Sequence, residues 1–212
     1  YNPEVQIYAT RGYGVIQVNY RGSVGFGLEK MKLANKQWSL KMHDDLLDAL
    51  EWANKKGFVD TNKVCISGAS YGGYSAMVGI TKNADIFKCA INYVGVVDLY
   101  TLYDDKQWMF ADMGRPQQHI EMGNPETERD VLENASPINY VDSIKGDLFV
   151  IHGRQDRQAS YKQVLQLKNA LEDADIPFEY MIKGDEGHGF YSETNNLELY
   201  TRMVDFLEAS LN

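Results

Sequence analysis

Lys63-Val64-Cys65-Ile66-Ser67-Gly68-Ala69-Ser70-Tyr71-Gly72-Gly73-Tyr74 decides how the rest of this chain is read. An apolar run of β type, Lys63–Ser67, ends at a glycine. A serine follows, then two glycines, and a helical pattern runs from Tyr74 to Thr81. Gly68-Ala69-Ser70-Tyr71-Gly72 fits Gly-x-Ser-x-Gly, a modest signal alone that gains weight from the strand before it and the helix after it. In such an elbow the serine is held in a strained backbone conformation with its hydroxyl exposed. Glycines flank it because side chains would collide where the turn closes on itself. The N-terminus of the following helix also favours developing negative charge. A plain glycine-rich turn would carry the same letters, so the reading depends on what else the chain supplies.

A serine hydroxyl needs a base to take its proton, and the chain has four histidines, His43, His119, His152 and His188. His188 lies in Glu186-Gly187-His188-Gly189-Phe190, a loop just after the strand-like Phe178–Ile182. That placement brings it to the C-terminal edge of a sheet, where the elbow serine also lies. His43 at a helix start, His119 in an irregular region and His152 at a strand end are assigned surface or structural roles. The base needs an acid to hold its tautomer. Asp156 follows the strand Leu148–Ile151 in His152-Gly153-Arg154-Gln155-Asp156, giving the chain order Ser70, Asp156, His188 that α/β-hydrolases use. Asp147 precedes its strand and falls at the wrong end; Asp185, in the same loop as His188, stays open as a rival.

Working outward, short apolar runs alternate with longer amphipathic ones, the pattern of parallel strands with helical crossovers. Strands are expected at Gly14–Asn19 and Cys89–Val94 as well as at the runs already named. Helices are expected over Asp44–Lys55, with Leu46, Leu47, Leu50 and Ala53 on one side, over Tyr161–Ala174 and over Leu197–Leu211. Between Leu99 and Pro137 the pattern loosens into short helices and loops over one end of the sheet.

The 212 residues, 44% hydrophobic and 12% aromatic, suit one packed domain over 1–212. A net charge of -9 argues against nucleic acid and against an anionic membrane surface, since both recruit clustered Lys and Arg. No apolar run approaches the roughly 20 residues that span a bilayer. Tyr1-Asn2-Pro3-Glu4 is neither a signal peptide nor an initiator Met, so a longer polypeptide is expected. Cys65 and Cys89 read as two buried free thiols, which fits a reducing compartment and makes the cytoplasm the expected location. Neither has metal-ligand spacing, and the acidic pair Asp44-Asp45 suits a helix start better than a metal; no metal and no cofactor is expected.

Four segments carry a resemblance to the prolyl oligopeptidase family of serine peptidases, which includes acylaminoacyl and dipeptidyl peptidases. They are Asn19-Tyr20-Arg21-Gly22-Ser23-x-Gly25-Phe26-Gly27, Gly68-Ala69-Ser70-Tyr71-Gly72-Gly73-Tyr74, His152-Gly153-Arg154-Gln155-Asp156 and Glu186-Gly187-His188-Gly189-Phe190. The resemblance implies an α/β-hydrolase fold: a mostly parallel sheet with helices on both faces, here truncated at its N-terminal strands. It implies a Ser-His-Asp triad cleaving short peptides through an acyl-enzyme, usually beside a β-propeller, and it leaves room for a homo-oligomer. Two family features are missing from these residues. One is an upstream oxyanion loop such as His-Gly-Gly, which leaves the Tyr71 N–H as the donor in hand. The other is a strand between Gly14–Asn19 and Lys63–Ser67, whose vacancy predicts a missing N-terminal segment or associated chain.

By the same resemblance Gln158 lies near the bound peptide, or else it is a solvated loop amide. Tyr100, Tyr103, Trp108 and Phe110 would line an apolar pocket for the residue before the scissile bond, or else pack a core. Arg21 would anchor the loop after its strand rather than clamp substrate. Two rival functions stand beside the peptidase reading: a carboxylesterase on the same fold, and a catalytically silent binding or regulatory domain.

Overall fold

The computed structural model describes residues 2–104 and 115–212. Its sheet has four strands, β1 (Cys65–Ala69), β2 (Cys89–Tyr93), β3 (Asp147–Gly153) and β4 (Glu179–Lys183), all parallel and lying in space in their chain order. Parallel neighbours need crossovers. Helix α4 (Tyr71–Lys82) joins β1 to β2, and α8 (Tyr161–Asp173) joins β3 to β4. Between β2 and β3 lie α5 (Leu99–Asp104), α6 (Arg115–Glu121), α7 (Arg129–Ala135) and a 3-10 stretch at Pro137–Ser143. That is the loosened region expected from the sequence. Ahead of the sheet stand α1 (Pro3–Ala9), α2 (Leu28–Lys32) and α3 (Lys41–Lys55), and α9 (Glu193–Leu211) closes the chain.

Strand side chains alternate between two faces, and the two cores follow that alternation. Ala90, Leu148 and Val150 turn toward one face, where Ala76, Met77 and Ile80 of α4 meet Val164, Leu167 and Leu171 of α8. Cys89, Ile91, Phe149 and Ile151 turn to the other, packing on Leu199, Met203, Phe206 and Leu207 of α9 and on Tyr8 of α1. Helices therefore cover both faces, as the α/β-hydrolase reading requires. A third cluster, around Tyr74, Leu99, Leu102, Tyr103 and Leu132, ties the irregular region to α4.

Two expectations are corrected. Residues 14–19 lie outside the sheet, with Val15 and Ile16 exposed. A strand forms only against a partner, and among the described residues β1 pairs on one side alone, with β2. Cys65 and Cys89 are not free thiols: they are register partners on β1 and β2, their Cα atoms 4.6 Å apart, and are joined as a disulfide. That separation is within the range a disulfide spans. The reducing-compartment expectation, which rested on free thiols, loses that support. Helix starts also move: α3 begins at Lys41 and α4 at Tyr71, each three residues ahead of the periodic pattern.

Candidate active site

Ser70 caps α4 with φ 57° and ψ −118°, a left-handed backbone that a β-carbon makes costly. The neighbouring structure enforces it. Ser70 N–H donates to Tyr93 O at 2.9 Å, and Ser70 O accepts from Tyr74 N–H at 3.0 Å. A Cβ on Gly68 would meet the Gly72 backbone at 2.6–2.8 Å, so the turn closes only with glycine there. Tyr71 is the first residue of α4, and the opening N–H groups of a helix have no intrahelical acceptor. Its amide is thus available to an anion forming beside Ser70.

Parallel strands bring their following loops to one edge of the sheet. The loop after β3 carries Asp156 and the loop after β4 carries His188, so residues 86 and 32 positions apart in sequence meet beside the end of β1. Asp156 is buried. Its Oδ1 accepts the backbone N–H groups of Gln158 (2.8 Å) and Ala159 (2.9 Å), and its Oδ2 faces His188 Nδ1 at 2.8 Å. A carboxylate only accepts, so Nδ1 carries the imidazole proton and Nε2 is the free base. Nε2 lies 2.8 Å from Ser70 Oγ, within reach of its proton. Asp156, not Asp185, is the carboxylate that meets His188.

The two loops are stitched together. Arg154 N–H donates to Lys183 O and Gln155 N–H to Glu186 O, both at 2.8 Å. A Cβ on Gly153 would collide with the carbonyl oxygens of Glu186 and Gly187, so glycine permits this close approach. Tyr93, at the end of β2, touches both sides of the site. Its carbonyl takes the Ser70 N–H, and its hydroxyl oxygen accepts the Phe190 N–H at 2.5 Å.

Sequence reasoning left three residues of this neighbourhood without a place in the site: Tyr93, His152 and Glu186. His152 is buried, donates from Nε2 to Ala159 O at 2.7 Å and stands 3.4 Å from Asp156 Oδ2. Burial pushes its imidazole below the usual histidine range, against the pull of Asp156 and the Ala159 carbonyl, and His188 pushes it further down. Its position four residues before Asp156 was the available signal. Glu186, two residues before His188, is also buried.

The remaining candidates are placed as follows. Gln158 gives its backbone N–H to Asp156 and is part of the acid's own turn. Tyr103 is buried in the third cluster, its hydroxyl donating to Gly123 O at 2.8 Å, and the core alternative fits it. Trp108 and Phe110 lie outside the described residues. Tyr100 is partly exposed, with the Arg129 guanidinium 4.9 Å from its ring centre. Arg21 has the anchoring role: Nε and Nη2 donate to the two oxygens of Asp45 at 2.9 and 2.6 Å, and its backbone N–H donates at 2.7 Å.

The chain is similar along most of its length to known proteins. The model of a family described as "Prolyl oligopeptidase family" matches residues 1–212. A dipeptidyl aminopeptidase BIII of Pseudoxanthomonas mexicana is 38% identical over 90% of this chain, and dipeptidyl peptidase family member 6 of Caenorhabditis elegans is 34% identical over 95%. The chain spans only 28% and 27% of those two relatives. Among solved structures, a puromycin-hydrolyzing peptidase of Mycobacterium tuberculosis superposes with a TM-score of 0.92 at 26% identity, covering 99% of this chain and 31% of that one. An acylaminoacyl peptidase of Pyrococcus horikoshii gives 0.88 at 25% identity, covering 98% and 34%. With a family match along its whole length, this chain belongs to the prolyl oligopeptidase family.

Proposed function

We propose that this chain is the catalytic part of a serine peptidase acting on short peptides, with Ser70 as nucleophile, His188 as base and Asp156 as its orienting acid. The observation that carries the reading is the continuous set of 2.8 Å contacts from Ser70 Oγ through His188 to Asp156. Ser70 Oγ attacks the peptide carbonyl while His188 Nε2 takes its proton. The tetrahedral oxyanion draws on the Tyr71 N–H at the start of α4. Collapse breaks the C–N bond, and His188 passes the proton to the leaving amine. Water then repeats the sequence on the ester formed at Ser70. Asp156 keeps the imidazole in the tautomer that can accept and holds the imidazolium while it lasts. The relatives' names, dipeptidyl and acylaminoacyl peptidases, support short peptides as the substrate class.

The proposal includes a strand from outside these residues, on the same polypeptide or an associated chain. It would pair with the free side of β1 and cover Val15 and Ile16, and it would bring the second oxyanion donor. Exposed Trp52 and Phe58, whose rings lie 5.9 Å apart, support the same reading, since large rings are costly to leave in water. A stable, monodisperse and active protein of these 212 residues alone would refute this part.

An organophosphonate probe tests the chemistry. The full-length protein should be labelled on Ser70 and the Ser70→Ala variant should not; equal labelling of both refutes the assignment. Relative turnover of an acyl-peptide anilide and a matched p-nitrophenyl ester then separates peptidase from esterase.

A further inference from the structure

We infer that Glu186 is a positioning residue that fixes the His188 imidazole by anchoring its loop to the start of α9. The inference rests on the hydrolase reading above and deepens it.

His188 stands in a loop between two regular elements, β4 and α9, and a base there needs a cause for its fixed position. Glu186 supplies one through both its backbone and its side chain. Its carbonyl accepts the Gln155 N–H, which ties the loop's first half to the Asp156 loop. Its carboxylate bonds to the loop's far end, beyond His188 in sequence. Oε2 accepts the Tyr191 N–H at 2.8 Å; Oε1 accepts the Ser192 N–H at 3.0 Å and Asn195 Nδ2 at 2.7 Å. Ser192 is the N-cap of the 19-residue α9, and Asn195 lies in its first turn. The carboxylate therefore sits at the positive end of a long helix that is itself packed into the core.

The chemistry of the pocket singles out a carboxylate. Three N–H donors converge on two oxygens, and an ionised Glu has no proton to set against them. A Gln would have to aim its own NH₂ at one of those donors. Burial pushes the Glu186 pKa up, but the bonds from Asn195, Tyr191 and Ser192 and the charge of Lys183 outweigh it, leaving the group below the usual carboxylate range. With the loop closed at both ends, the intervening Gly187-His188-Gly189 has little room to swing, and Phe190 N–H is held by Tyr93 besides.

The test uses the full-length protein with Glu186→Gln, and Asn195→Ala as a second variant that removes one donor and leaves the loop sequence intact. Three readouts are taken: thermal unfolding, the kcat-against-KM split, and the far-downfield proton resonance of the His188 Nδ1–H. Misplacing a reacting group by about an ångström costs about 10²-fold. The expectation for Glu186→Gln is thus a kcat loss of about that size with KM near the parent value, and a broadened or shifted resonance in a folded protein. Asn195→Ala should move the same two readouts the same way by less, and it decides the matter if Glu186→Gln does not fold. Parent-like kcat and resonance in a folded variant overturn the inference, as does a kcat loss that only tracks the loss of folded protein. Failure of the parent itself to react with the organophosphonate overturns the hydrolase reading instead, while the resonance still reports on Glu186.

Discussion

Asp156→Asn is a small change in shape, yet the structure gives it a large effect on the chemistry. The wild-type carboxylate divides its oxygens: Oδ1 serves two backbone N–H groups, from Gln158 and Ala159, and Oδ2 serves His188. An asparagine has one oxygen and one NH₂ to place. Turning the NH₂ toward two N–H donors costs two hydrogen bonds and adds a repulsion, so the amide oxygen takes the Oδ1 side. The NH₂ then faces His188 Nδ1, which must become the acceptor. The imidazole proton moves to Nε2, and Ser70 Oγ loses its base. A wrong tautomer of this kind lowers kcat by about 10⁴-fold, or about 5 kcal/mol in the barrier. Because both Oδ1 bonds survive, folding stability should fall by no more than about 2 kcal/mol. Turnover of an activated ester and the unfolding midpoint, measured together on the full-length protein, check both halves. A kcat loss below about 10-fold in a folded variant would refute the tautomer argument.

Gly153→Ala should lower kcat and stability together, by about 1–3 kcal/mol in stability, because the new methyl meets the backbone carbonyls of Glu186 and Gly187, which cannot rotate away as a side chain would; unchanged turnover would show that the two loops are not held in contact. His152 supplies a pH test. Its folded pKa lies below the ordinary value of about 6.5, so the unfolded chain binds the proton more readily. Stability is then full above that pH and declines as the pH falls through it toward the lower folded value. Urea unfolding at pH 5 and pH 7 should show that decline, and His152→Asn should remove part of it; identical slopes in parent and variant would count against a neutral buried imidazole. Proteolysis without reductant should yield one linked pair of fragments bearing Cys65 and Cys89. Replacing both by Ala should cost about 3 kcal/mol, given the 24-residue separation they close; recovery of two separate thiol-bearing fragments would exclude the bond.

What was legible in the sequence was local or fixed by order along the chain. The elbow could be read because strand, turn and helix signals adjoin one another around Ser70. His188 could be chosen over three other histidines because it follows a strand, and strand ends share an edge. The remainder depended on contacts between distant segments. Gly14–Asn19 has strand composition, but a strand is a pairing, and among the described residues β1 pairs with β2 alone. The first turn of α4 contains Gly72 and Gly73, poor helix formers, so the pattern became visible only at Tyr74. That Cys65 and Cys89 lie opposite one another is a matter of register between β1 and β2, which neither segment records alone. Glu186 and His152 stand in two of the segments that carry the resemblance, but their own part in the site lies in burial beside it. Tyr103 read equally well as pocket or core until its hydroxyl was seen to reach Gly123.

Tyr93 joins the serine turn through its carbonyl and the histidine loop through its hydroxyl. Two loops anchored separately would fluctuate independently, and the variance of the Ser70–His188 separation would be the sum of their own variances. Anchored on one strand end, they share part of each displacement, and the shared part cancels in the distance between them. The site can therefore keep a proton-transfer distance steadier than either of its loops is steady, and warming should broaden the loops' positions well before it broadens the gap that the proton crosses.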